Sequence, residues 1–287
     1  MSKYVALFTK IHIHPLLWLF GGIAVITAHF KQLFLLFLIV LIHELGHAVA
    51  AAFFSWRIKQ ILLLPFGGVA EVEEHGNRPF HEELIVTLAG PVQHLWLMGI
   101  AFFLWKAGVM TDEGWSLFAH YNVALLFINL LPIWPLDGGK LLFLALTRYF
   151  PFSEAHKKMI ILSFVALMLF FSSVLLLQPQ QFDLWIMMIF LFISLWKEWR
   201  HRHYVMMRFL LERYYGKRGS YAKLRTIHVS EEETIIQVLQ NFYRGQKHSI
   251  VVTKRNHERV TLDENELLHV FFSEKQSNEK LGNLVYI

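Results

Sequence analysis

The sequence predicts a polytopic α-helical membrane protein: about six transmembrane helices, a membrane-associated β-hairpin and a small C-terminal α/β domain. Three observations carry this. The 287 residues are 55% hydrophobic and 15% aromatic, with a mean hydropathy of +0.41, too apolar for an ordinary soluble domain. Several uncharged runs reach the roughly 20 residues that cross a bilayer core. Basic residues outnumber acidic ones, 27 to 22, and gather beside the apolar runs, where they anchor topology rather than bind nucleic acid. The chain has no Cys, which excludes disulfides and cysteine-ligated zinc or iron-sulfur sites.

The elements follow in order. The first apolar run, 11–28, comes after Lys3 and Lys10 but contains His12, His14 and Pro15 and no small-x-small cleavage site, so it is expected to remain as a span. Further spans are expected at 33–54, 84–105, 115–131, 160–177 and 182–196. Between the second and third, residues 61–72 place strand formers around Pro65-Phe66-Gly67-Gly68 and read as a hairpin. With a cytosolic amino terminus, Arg57, Lys59, Arg78, Lys140, Arg148, Lys157, Lys158 and the segment from Lys197 onward fall inside, while the opposite side holds little beyond Lys31 and Lys106. The positive-inside rule therefore puts both termini in the cytosol. The expected domains are a transmembrane domain at 1–199, a basic juxtamembrane linker at 200–224 suited to anionic headgroups, and a soluble domain at 225–287. Within the last, 226–229, 232–243, 249–253, 258–262 and 264–272 read as strand, helix, strand, strand and helix.

The second span contains His43-Glu44-Leu45-Gly46-His47. Residues i and i+4 share one helix face, so His43 and His47 can offer two imidazole nitrogens to a single Zn²⁺ while Glu44 stands beside them as a base. Polar side chains this deep in a bilayer are costly unless they have a partner or a metal. A catalytic zinc takes three protein ligands and keeps a fourth position open. Candidates for the third are His94, His120, Asp137 and Asp183. The setting favours Asp137, which lies in the stretch Asn129 to Gly139, where Pro132 and Pro135 break an apolar helix and two glycines allow close backbone approach. Asn129 is then placed to satisfy freed backbone or to position a substrate. Asp183 reads as a helix-start carboxylate, and His94 and His120 as core histidines or as partners of the ligands. An exposed strand edge in the hairpin, around Phe66, Gly67, Gly68 and Val69, could hold an extended substrate by β-augmentation; the alternative is a hairpin that only packs. The reading is a zinc metalloprotease cutting a membrane-associated substrate, and the rival is a zinc transporter or receptor without proteolytic activity.

Together these residues resemble the site-2 protease family of intramembrane metalloproteases: HELGH at 43–47, Gly90-Pro91 in the third span, and an N-x-x-P-x-x-P-x-D-G pattern from Asn129 to Gly138. The resemblance implies one zinc per chain bound by His43, His47 and Asp137, with Glu44 catalytic; Asn129, Pro135 and the hairpin are expected to contact substrate. Many relatives read Gly-Pro-x-x-Asn where this chain reads Gly90-Pro91-Val92-Gln93-His94, which leaves the role of His94 open. The C-terminal domain looks like a single cystathionine-β-synthase-type (CBS-like) domain, implying ATP or another adenine nucleotide. A lone domain of this type often needs a partner surface, so a homo-oligomer is expected. Similarity to a sporulation subgroup of the family implies pro-sigma-K as substrate, inhibitory membrane proteins as partners and a place in the mother-cell membrane around the forespore.

Overall fold

In a computed structural model of the chain, described for residues 10–13, 15–28, 30–64, 67–72, 78–216, 224–274 and 279–285, helices dominate. Strand β1 (Ile11–Ile13) precedes helices α1 (Pro15–Ile26) and α2 (Phe30–Phe53). Strands β2 (Ile58–Leu64) and β3 (Gly67–Val72) form the expected hairpin, and Phe66 lies outside the described residues. Helices α3 (Phe80–Lys106), α4 (Asp112–Leu130), α5 (Asp137–Tyr149), α6 (Phe152–Leu177) and α7 (Phe182–Tyr215) follow. The C-terminal elements are β4 (Leu224–Ser230), α8 (Ile235–Gln240), β5 (Lys247–Thr253), β6 (Arg259–Asp263), α9 (Glu264–Ser273) and α10 (Leu281–Val285).

By length and composition, α2, α3 and α6 can each cross a membrane among the described residues. The run read as a first span is divided: β1 takes its start, and α1 has only 12 residues. β1 pairs in parallel with β2, Ile11 opposite Ile61, and β3 pairs antiparallel on the other side of β2, giving the order β1-β2-β3.

The chain divides into two compact units, with the boundary falling after Leu141 in α5, before Ser163 in α6 and after Phe192 in α7. In the first unit, α2 buries two adjacent i, i+4 rows, Ile39-His43-His47-Ala51 and Val40-Glu44-Ala48-Ala52. Rows at this spacing form the ridges by which helices interlock, and alanines let a neighbour come close. That neighbour is α3, whose residues Ala89 and Gln93 lie against Gly46 of α2, while Gly90 lies against His43 and His47. Helix α4 is capped at Thr111, whose hydroxyl accepts from the Gly114 N–H at 3.1 Å. It ends before Pro132, because proline lacks the N–H that would continue the ladder and disfavours helix in the residue before it.

The second unit carries a parallel β4–β5 pair and an antiparallel β5–β6 pair, in the order β4-β5-β6. Strand β5 buries His248, Ile250 and Val252 in alternation, the period-2 pattern of a strand with one covered face. Leu239, Phe242, Leu267, Leu268 and Leu281 close over it with Phe209 and Leu210 of α7. The side chain of Asp263 accepts from the Glu264 N–H at 2.9 Å and that of Glu266 from the Asp263 N–H at 3.2 Å, a reciprocal cap that starts α9.

Candidate metal centre

Two imidazoles from one helix and a carboxylate from the start of another meet in the interior of the first unit. His43 Nε2, His47 Nε2 and Asp137 Oδ2 are mutually 3.1 Å apart, and all three side chains are buried. The two histidines come together through the i, i+4 spacing of α2. Asp137 arrives through the loop of residues 131–136 and sits in the first turn of α5. That loop is tied down on both sides. The Trp134 N–H donates to the hydroxyl of buried Ser163 at 3.1 Å. A Cβ on Gly138 would lie 2.2 Å from the Leu130 carbonyl oxygen, so only glycine permits this approach.

Each ligand candidate is held by its other polar atom. His47 Nδ1 lies 2.7 Å from the Val86 carbonyl oxygen; a carbonyl only accepts, so Nδ1 carries a proton, and in the neutral ring Nε2 is left with the lone pair. His43 Nδ1 lies 3.0 Å from His94 Nε2, and His94 Nδ1 lies 2.8 Å from Asn122 Oδ1. Lys140 Nζ donates to Asp137 Oδ1 at 3.0 Å, which leaves Oδ2 facing the histidines. Glu44 is buried beside them in sequence, and its Oε2 has no hydrogen-bond partner among the described residues.

The donor set fits zinc. Two bare imidazole nitrogens and a carboxylate oxygen at van der Waals separation have no proton to share when both histidines are neutral and protonated on Nδ1, so they crowd three lone pairs together. A dication satisfies all three. Ligands bound to zinc at about 2.0–2.1 Å in a tetrahedral array stand roughly 3.3 Å apart, close to the spacing observed.

Other sequence candidates are placed elsewhere. His120 is exposed on α4 and lines an open hollow with Asp112, Glu113 and Ser116. Asp183 is exposed in the first turn of α7, as a helix-start carboxylate is expected to be. His94 is buried and touches His43, so it belongs to the centre without facing Asp137 directly. Asn129 and Pro135 lie half-buried on the segment leading to Asp137. Gly67, Gly68 and Val69 begin β3, opposite Leu64, Leu63 and Leu62. Sequence reasoning did not single out Asn122, Val86 or Ser163, and it read Lys140 only as a topology charge. The signal available for Lys140 was its i, i+3 spacing from Asp137; Asn122 offered a polar side chain in an apolar run.

Comparison with known proteins gives a consistent picture. The profile of peptidase family M50 matches residues 31–114 and 104–171. Stage IV sporulation protein FB of Bacillus subtilis is 48% identical over 285 residues, 99% of each chain. A zinc metalloprotease of Methanocaldococcus jannaschii is 32% identical over 43% of this chain and 36% of its own. Among solved structures, the site-2 protease from the same archaeon superposes with a TM-score of 0.51 and 25% identity, covering 66% of this chain and 89% of that one.

Proposed function

The chain belongs to peptidase family M50 and is an intramembrane zinc metalloprotease, and from that premise we propose that His43, His47 and Asp137 bind one zinc ion and that Glu44 moves the protons of hydrolysis. The observation that carries this is the triangle of buried donor atoms at 3.1 Å. Zinc in such a site supplies Lewis acidity, lowering the pKa of water toward neutrality and polarising a carbonyl. The Glu44 carboxylate accepts a proton from the attacking water and delivers it to the leaving amide nitrogen, so one residue serves as base and then acid. Lys140 holds Asp137 by its outer oxygen. A polypeptide substrate needs an extended segment, and β3 is the outer strand of the order β1-β2-β3 among the described residues, which supports Gly67, Gly68 and Val69, with the neighbouring Phe66, as its guide, while Asn129 and Pro135 fix its backbone near the centre. Membership of a peptidase family sets aside the transport reading.

The substrate we propose is pro-sigma-K, whose pro-sequence is removed during sporulation; near-complete alignment with a sporulation protein supports this. Six crossings, both termini in the cytosol, residence in the mother-cell membrane, inhibitory membrane partners and a homo-oligomer belong to the same proposal. The strand-helix-strand-strand-helix order of 224–273 supports a CBS-like regulatory domain, for which an adenine nucleotide is the proposed ligand. Metal analysis tests the ligand set. Purified wild type is expected to hold about one zinc per chain and Asp137→Ala far less; undiminished zinc in that variant would contradict the assignment.

A further inference from the structure

We infer that Asn122 and His94 are positioning residues that fix the tautomer of His43, so that its Nε2 is always presented as a bare lone pair. The inference rests on the proposed role of His43 as a metal ligand and extends it to two residues on α3 and α4.

The argument is one of donors and acceptors. The Asn122 side-chain NH2 donates to the His94 backbone carbonyl at 2.9 Å, a contact that only the amide nitrogen can make. This orients the amide so that Asn122 Oδ1 faces His94 Nδ1 at 2.8 Å. The oxygen only accepts, so the His94 proton is on Nδ1 and its Nε2 is bare. His94 Nε2 in turn faces His43 Nδ1 at 3.0 Å. One of the two must carry the proton, and it is His43 Nδ1. In the neutral ring the remaining nitrogen of His43, Nε2, then points without a proton at Asp137 Oδ2 and His47 Nε2. Asn122 and His94 are each 1% exposed, so water cannot readily exchange into the relay and scramble it. His47 reaches the same tautomer by a shorter route, through the Val86 carbonyl. A backbone carbonyl cannot be mutated away, whereas the group that faces His43 Nδ1 is a side chain and is open to test.

Outer hydrogen-bond partners of metal-binding histidines typically change metal affinity by about 10–100-fold. Two variants of the full-length protein in detergent isolate the acceptor. His94→Gln places an amide oxygen close to where Nε2 was and can still accept from His43 Nδ1; His94→Leu fills similar space and cannot. Both lose the Asn122 contact alike. The readouts are zinc dissociation constants from chelator competition, the visible spectrum of the Co²⁺-substituted protein, and melting of the metal-free form. The expected result is His94→Gln within a few-fold of wild type and His94→Leu weakened by about tenfold or more, with a changed Co²⁺ spectrum. Equal zinc affinity in both variants, whether unaltered or equally weakened, overturns the inference. Should neither variant be recovered folded, Asn122→Leu decides: weakened zinc with normal metal-free melting supports the relay, and wild-type affinity overturns it. If wild type itself binds no zinc, the ligand assignment fails instead, and the two failures are told apart.

Discussion

At Gly90, an added methyl group would lie 2.2 Å from His47 Nε2 and 2.8 Å from His43 Cε1, closer than any real contact. Both rings are already fixed through their Nδ1 atoms, so they have little freedom to yield. Gly90→Ala is therefore expected to lower zinc affinity at least tenfold, on the scale seen when ligand orientation is disturbed, and chelator competition measures it; wild-type affinity would show that the rings can move. The helical spacing of His43 and His47 was fully legible in the sequence, since i and i+4 define a face without any tertiary information. Asp137 could be favoured by its setting. The relay through His94 and Asn122 could not be read, because it depends on the rotation of two helices about their own axes.

The 131–136 loop shows how an element aims a carboxylate. Pro132 ends α4, Gly138 admits the chain beneath the Leu130 carbonyl, and Ser163 of α6 accepts the Trp134 N–H. Ser163→Ala would orphan that N–H at a cost of about 1–3 kcal/mol, seen as a lower melting temperature together with weaker zinc binding; unaltered values in both would mean that the loop is held without it. The hairpin was legible from its strand formers and central glycines, whereas β1 was absorbed into the first expected span. Its signal was the alternation Ile11-His12-Ile13, with His12 exposed. A three-residue strand whose partner lies some fifty residues further on leaves no local periodicity strong enough to outweigh the apolar run after it.

On the scale of the whole molecule, the C-terminal elements matched the strand and helix order read from sequence closely, because a half-covered sheet and capped helices write their periods locally. What sequence could not reveal is the buried ion cluster at its centre. Arg213 of α7 donates through Nε and Nη2 to Glu264 at 2.7 and 2.8 Å, and Glu264 also accepts from the backbone N–H of His248 at 2.8 Å. Burial, only partly opposed by Glu264, pushes the His248 pKa below its ordinary value. Burial alone would raise the Glu264 carboxyl, but His248 and the Arg213 guanidinium together hold it below the usual carboxylate range. In both cases the unfolded state takes up protons first as pH falls. Stability from this cluster is thus full above about pH 6.5 and declines as pH drops through the histidine range and then the carboxylate range. Hydrogen exchange in β5 and α9, corrected for intrinsic rates, should show falling protection from neutral pH toward pH ~4.5; constant protection would contradict the coupling. Removing one partner from a buried ion pair leaves a bare charge, so Arg213→Met should destabilise the second unit by about 3–5 kcal/mol, read in the same exchange measurement.

The protease reading of the whole chain meets its most direct test in cleavage of membrane-tethered pro-sigma-K by purified protein in lipid, with zinc content measured in parallel for wild type and Glu44→Gln. The expected outcome is zinc-dependent cleavage by wild type, and a Glu44→Gln variant that retains its zinc while its rate falls by about 10²–10⁴. A zinc-loaded Glu44→Gln protein that cuts at the wild-type rate would contradict the assignment of Glu44, and with it the chemistry proposed for the centre.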